Sequence, residues 1–221
     1  MIYDKESLHS ILPKQPFILG HEEAIHSVVL IPMVNIEGEV YILLEVRAPH
    51  IRQGSEISFP GGKVDATDAQ YVDTAIRETV EELGIKEEQI EIIGQMDSII
   101  GPNGIFVHCY LGMLNIKTLE SCVYNKEEVS KIFLVPVNYL LDHEPLIHYI
   151  DVTHKWVSDK AVQNIEKEKF IEATTLPKKY HQPWSSGQRK VYIYQYEDEV
   201  IWGITASFLY DFSQKIKGLL D

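Results

Sequence analysis

The sequence predicts an α+β fold, an α/β/α sandwich in which a mixed β-sheet lies between helices. Three observations predict it. Short runs of alternating or branched apolar residues, the pattern of strands, recur along most of the chain. One stretch near residues 69–83 switches to a helical period. Another amphipathic stretch closes the chain.

Taken in order, residues 4–12 read as a short helix and Lys14–Gly20 as a proline-containing connector. His26–Val34 and Glu39–Val46 read as two strands, and Asn35-Ile36-Glu37-Gly38 between them supplies hairpin chemistry. A polar, basic loop runs from Arg47 to Ser58 and leads into Phe59-Pro60-Gly61-Gly62, where a fixed φ is followed by two permissive residues. The helix from about Ala69 to Leu83 sets Val72, Ile76, Thr79, Val80 and Leu83 on one side, with Gly84 at its C-terminal cap. Ile90–Met96, Phe106–Met113 and Val129–Val135 read as strands. Segment 158–187 is polar, with a Lys/Glu-rich stretch and two prolines, and reads as an insertion. Lys190–Tyr196 and Val200–Trp202 return to strand, and Thr205–Leu220 reads as the closing helix with Thr205 near its N-cap. The expectation is a single domain over 1–221, with an N-terminal helical extension to about residue 24.

Composition narrows the function. Hydrophobic residues make up 45% and charged residues 24% of the chain, the balance of a globular protein. The longest apolar runs, such as Ile25–Val34, fall well short of the roughly 20 residues that span a bilayer. The N-terminus lacks a basic region followed by an apolar one, and two cysteines make no disulfide framework. A cytoplasmic protein with reduced thiols and no membrane partner is expected. The net charge of −13 disfavours nucleic acid as a partner, since that needs a basic face to displace counterions. An anionic substrate is admissible only if cations and local arginines reverse the field in its cleft.

The chemistry concentrates in Arg77-Glu78-Thr79-Val80-Glu81-Glu82-Leu83-Gly84. At 100° per residue, Glu78, Glu81 and Glu82 share one arc, roughly opposite the apolar stripe. Like charges at these spacings repel, and no Lys or Arg stands four residues from Glu78 to relieve them. Glu81 and Glu82 also occupy the last turn, where the helix dipole disfavours carboxylates by roughly 0.3–1 kcal/mol each. A solvated face is the bland alternative. A bound hard cation such as Mg²⁺ or Mn²⁺ would remove both penalties, and Gly61-Gly62 lies close enough to add a backbone carbonyl.

These residues carry a resemblance. Gly62–Ile85 resembles the box of the Nudix hydrolase superfamily, Gly-x5-Glu-x7-Arg-Glu-U-x-Glu-Glu-x-Gly-U with U hydrophobic. Asp68 stands at the position of the first Glu, and eight residues separate it from Arg77. Both departures are similar to the coenzyme A pyrophosphatase branch. So are the Arg-containing stretch Leu44–Arg52 before Phe-Pro-Gly-Gly and the segment Trp202-Gly203-Ile204-Thr205-Ala206. The loop Arg52–Phe59 is one residue shorter than that branch usually has.

The resemblance implies a Nudix fold and a Mg²⁺- or Mn²⁺-dependent pyrophosphohydrolase. Its substrate would be a coenzyme A-like nucleotide, cut to 3′,5′-ADP and 4′-phosphopantetheine, and a homodimer is possible. Glu78, Glu81 and Glu82, with Gly61, are the expected metal ligands. Arg77 is expected to orient a box carboxylate, with Asp68 either its partner or the cap of the helix. Glu128 is the candidate general base and Glu127 its alternative. Arg47, Arg52 and Lys63 are candidates for substrate phosphates. Trp202 reads as a core residue or a stacking platform for adenine. His50 and His108 show no spacing that suggests catalysis or zinc. Pro102, some 17 residues past the box, resembles the ADP-ribose branch instead, and a non-catalytic nucleotide sensor is the competing class.

Overall fold

A computed structural model describes residues 4–101, 104–155 and 176–220. Pro102 and most of the 158–187 segment lie outside the described residues. The chain divides into two compact units, Met1–Leu134 and Val135–Asp221.

In the first unit a short helix, α1 (Lys5–Ser10), is capped by Asp4, whose carboxylate accepts the Ser7 N–H. Strands β1 (His26–Ile36) and β2 (Glu39–Arg47) form the predicted hairpin. Its turn residues Glu37 and Gly38 both take positive φ, as a type I′ turn requires, and the Asn35 side chain also accepts the Gly38 N–H. Short strands β3 (Ile57–Ser58) and β4 (Gly61–Lys63) follow, then helix α2 (Tyr71–Leu83). Strands β5 (Ile90–Gln95), β6 (Ile99–Ile100), β7 (Phe106–Leu114) and β8 (Val129–Pro136) complete a mixed eight-stranded sheet of order β3-β2-β1-β7-β5. Strand β4 is added on β1, β6 on β7 and β8 on β2. The central pair, β1 and β7, is parallel, and the neighbouring pairs are antiparallel. The core under α2 joins Val28, Leu30 and Val34 of β1 to Leu43, Ala75, Leu83, Ile85 and Leu114. The fold class is α+β.

The second unit holds α3 (Val137–Asp142) and a separate antiparallel sheet of order β11-β10-β9. Its strands are β9 (Leu146–His154), β10 (Trp184–Tyr196) and β11 (Glu199–Trp202), followed by α4 (Gly203–Leu220). Strand β10 begins six residues before the predicted Lys190, because pairing with β9 extends it back to Trp184. Helix α4 begins at Gly203, so Thr205 lies inside its first turn instead of capping it. Trp202 is 47% exposed, which removes the core reading of that residue. No helix of the described residues is long and apolar enough to cross a membrane.

Candidate active site

Helix α2 positions the acids. It packs on β1 and β4, with Gln70 at its N-cap donating its N–H to the Asp73 carboxylate at 2.8 Å. The predicted stripe is out of phase with the real one. The buried residues are Thr74, Ala75, Thr79, Glu82 and Leu83, whereas Val72, Ile76 and Val80 are half-exposed. Small side chains at 75 and 79 let the helix approach the sheet, and Thr79 satisfies its hydroxyl on the Ala75 carbonyl at 2.7 Å. Gly84 ends the helix in the left-handed region, φ 62°, with its N–H on the Val80 carbonyl. A Cβ there would stand 2.1 Å from the Val123 carbonyl oxygen.

The three box glutamates differ sharply in burial. Glu82 is 3% exposed, and the side chains of Glu78 and Glu81 are 15% and 55% exposed. Glu82 accepts the Gly61 N–H at 2.8 Å, so the glycine pair meets the acid face through a donor. Side chains at these glycines have no room. A Cβ on Gly61 would stand 2.2 Å from the Val28 carbonyl oxygen, and one on Gly62 would stand 2.2 Å from Glu78 Oε1. Because the second clash is with a movable carboxylate, Gly62→Ala is expected to fold with nearly unchanged Tm. Displacing Glu78 by about an ångström should lower kcat/KM on the order of 100-fold. Thermal melts and steady-state rates check this; wild-type turnover would show that Glu78 need not lie against Gly62.

Arg77 relieves the acids, contrary to the expectation of unrelieved repulsion. Its guanidinium donates to Glu78 Oε1 at 2.8 Å and Glu81 Oε2 at 3.3 Å. On its other edge it forks onto both oxygens of Asp68, at 3.1 and 3.0 Å. Asp68 is therefore the partner of Arg77 and not the cap of α2. Thr74 and the Asp65 N–H also donate to it. These donors, Arg77 foremost, hold the Asp68 carboxyl far below the ordinary carboxylate range.

A residue that sequence reasoning missed completes the cluster. Glu45 on β2 is fully buried, with Oε1 accepting the Ser58 hydroxyl at 3.0 Å. Its Oε2 has no hydrogen-bond partner among the described residues. Burial above all raises both the Glu82 and the Glu45 carboxyls above the ordinary range, with repulsion from Glu45 adding to it at Glu82 and repulsion from Glu128 and Glu78 at Glu45. Burial raises Glu78 as well. The signal was present in the sequence: Glu45 shares the pleat of Leu43 in a strand whose neighbours are apolar.

The outer candidates divide. Glu128 is exposed, yet its charge acts on both Glu45 and Glu78, while Glu127 faces the exposed His50 ring at 3.7 Å. The Glu128 carbonyl accepts the Ala48 N–H at 2.7 Å, tying its loop to the end of β2. Arg47 is half-buried and its charge opposes those of Glu45 and Glu82. It donates to the Arg52 carbonyl at 3.3 Å, inside a compact loop. The Arg52 and Lys63 residues are exposed, and Lys63 reaches the cluster through its carbonyl, which accepts from Arg77 at 3.4 Å.

Glu45, Glu78, Glu81, Glu82 and Glu128 thus set five carboxylates against two nearby guanidinium groups, one already committed to Asp68. A buried oxygen without a partner and three carboxyls raised by burial are what a site for a hard divalent cation holds before the cation binds. The donor set fits Mg²⁺ or Mn²⁺.

The model of the NUDIX domain matches residues 24–151. The chain is 27% identical over 208 residues to the Nudix hydrolase NudL of Photorhabdus laumondii, covering 93% of this chain and 92% of that one. It is 35% identical over 132 residues to Nudix hydrolase 3 of Caenorhabditis elegans, covering 58% of this chain and 55% of that one. With the peroxisomal coenzyme A diphosphatase NUDT7 of Mus musculus it shares 32% identity over 122 residues, 55% of this chain and 50% of that one. The chain thus spans about half the length of the worm and mouse relatives. Among solved structures, the Nudix hydrolase RenU of M. smegmatis superposes at a TM-score of 0.44 and 20% identity, over 53% of this chain and 73% of that one. With the family's domain spanning more than half its length and the acid cluster seated on the family's box, the chain belongs to the Nudix hydrolases, enzymes that cleave pyrophosphate bonds.

Proposed function

We propose that the substrate is coenzyme A or a close derivative, hydrolysed at its diphosphate to 3′,5′-ADP and 4′-phosphopantetheine. The observation that carries this reading is the juxtaposition of the five-carboxylate cluster with Arg47, at the root of the loop that bears Arg52. The likeness to the mouse coenzyme A diphosphatase, over the part of the chain that holds both, supports it.

Glu78, Glu81 and Glu82, with the Gly61 carbonyl and the buried Glu45, would hold the divalent cations. Bound there, such ions neutralise the diphosphate and lower the pKa of the attacking water. Glu128 accepts that water's proton from the mouth of the cluster. Arg77 keeps Glu78 and Glu81 in place from the opposite side. Arg47, Arg52 and Lys63 take the phosphate oxygens, and the 3′-phosphate falls to the exposed arginine of the loop, Arg52.

Rates on coenzyme A, dephospho-coenzyme A and ADP-ribose, measured with saturating Mn²⁺, test the proposal. Coenzyme A is expected to lead by at least about tenfold, the worth of one charge-assisted contact of roughly 1.5–3 kcal/mol. Mass analysis of its products should give the two halves named above. Equal rates on all three would remove the 3′-phosphate site. No turnover of any of them by a protein that binds nucleotide would favour a sensor.

A further inference from the structure

Outside the acid cluster, the fold gathers three histidines that the sequence keeps far apart. His21 lies in the turns before β1, His26 is the first residue of β1, and His108 sits in β7. In the parallel β1–β7 register Val28 opposes His108, so His26 and His108 project from the same face of the sheet. Their rings are within 6° of parallel, with His26 Nδ1 3.0 Å from His108 Nε2. One ring nitrogen from each of the three lies within 4.8 Å of the others. Sequence spacing gives His108 no such partner; the strand pairing brings it two.

The hydrogen bonds around these rings follow the pattern that presents bare nitrogens to a metal. His26 Nε2 lies 2.8 Å from the His21 carbonyl oxygen, which can only accept, so the ring proton is on Nε2 and Nδ1 is bare. His108 Nδ1 is engaged by the Ser98 hydroxyl at 2.9 Å, turning Nε2 toward the cluster. Without metal, one proton closes the 3.0 Å gap: a neutral His108 carries it on Nε2 and donates to His26 Nδ1 while the Ser98 hydroxyl donates to His108 Nδ1, and a cation binding both nitrogens displaces that single proton. Two nitrogens bound at 2.0–2.1 Å to a tetrahedral zinc stand about 3.3 Å apart, which the rings reach by parting a few tenths of an ångström.

We propose that His21, His26 and His108 form a binding site for a borderline divalent transition metal of the zinc class, which pins the N-terminal connector to β1 and β7. Imidazole nitrogen is a preferred ligand for zinc, cobalt and nickel and a poor one for Mg²⁺, whose partners are oxygens. The chain therefore separates two kinds of cation by ligand chemistry. Three protein nitrogens leave a fourth position for water, with the Tyr71 hydroxyl 3.2 Å from His26 Nδ1 as its neighbour.

The test titrates Co²⁺ into the full-length chain after chelator treatment, in excess Mg²⁺ to occupy the carboxylates. One equivalent should bind with the intense visible bands of a four-coordinate nitrogen site. His21→Ala, at a half-buried position before the first strand, should weaken binding by more than about 100-fold, beyond the 10–100-fold that a supporting residue costs. Its Tm without metal should match the wild type. Glu82→Gln should bind Co²⁺ as the wild type does, and Zn²⁺ should slow proteolysis within residues 11–24 of wild type but not of His21→Ala. Absence of the bands in Mg²⁺ buffer would overturn the proposal and leave the rings as a hydrogen-bonded chain. So would cobalt binding that survives His21→Ala and is lost in Glu82→Gln, since the ion would then sit among the carboxylates.

Discussion

Glu82→Gln is expected to lower kcat on the order of 1,000-fold while leaving the metal-free protein at least as stable as wild type. The amide keeps an acceptor for the Gly61 N–H and nearly the same volume, so the buried face of α2 stays filled. What it loses is a charge that burial and Glu45 already oppose. A ligand oxygen that anchors catalytic cations commonly accounts for several kcal/mol of transition-state stabilisation. Stability moves the other way, with a pH signature. Because the folded-state carboxyls of Glu82 and Glu45 lie above their unfolded values, the fold binds protons there more tightly than the unfolded chain does. In chelator, the contribution of these two carboxyls to wild-type stability is therefore fully present in acid and declines as pH climbs from the ordinary carboxylate range through neutrality. Saturating Mg²⁺ should flatten that decline, and Glu82→Gln should flatten it without any cation. Melts at stepped pH, with and without Mg²⁺, measure both effects. Undiminished turnover in the variant, or a decline as steep as that of wild type, would contradict the assignment.

Arg77→Ala is expected to impair stability and activity together. The side chain serves Asp68 with two bonds and Glu78 and Glu81 with one each. Removing it leaves three carboxylates facing one another around an empty space. Arg77 is 29% exposed, so water softens the repulsion, and a loss of about 1–3 kcal/mol is expected. Without it Glu78 and Glu81 are free to splay, which should cost on the order of 100-fold in kcat/KM. The pH dependence is opposite to that of Glu82. Asp68, depressed in the folded state, adds stability above its unfolded pKa that is lost in acid, so the gap between wild type and variant should narrow as pH falls. Arg77→Lys should recover little, because an ammonium cannot fork onto Asp68 while holding the glutamates. Denaturant midpoints at unchanged slope, paired with steady-state rates, report both losses. Full rescue by lysine would reduce the role of Arg77 to its charge.

How much of this was legible depended on whether a feature was local. Spacings of three and four residues on one helix are local, so Glu78, Glu81 and Glu82 stood out, as did the Asn35–Gly38 hairpin and the Gly84 cap. The side of α2 that faces the sheet was not local. Val72, Ile76 and Val80 looked like the core stripe, but β1 and β4 accept the smaller surface of Ala75 and Thr79. Glu45 escaped notice because it sits in an apolar strand, and its partners, Ser58 on β3 and the acids of α2, reach it through tertiary structure. The three histidines were hidden for the same reason, being joined by a strand pairing that no sequence window contains. Strand β9 has little apolar periodicity, being exposed along nearly all its length, and it left no trace that a periodicity reading could find.

The parallel pairing of His26 with Phe106 has a bearing on how the chain acquires its shape. The two strands at the centre of the larger sheet are about 80 residues apart along the chain, so the centre cannot zip until that entire length has left the ribosome. Closing so large a loop costs entropy before any burial offsets it, so this pairing is disfavoured until the rest of the sheet can form with it. During that wait the β1–β2 hairpin stands with an unpaired apolar edge, the kind of edge along which strands of separate chains pair.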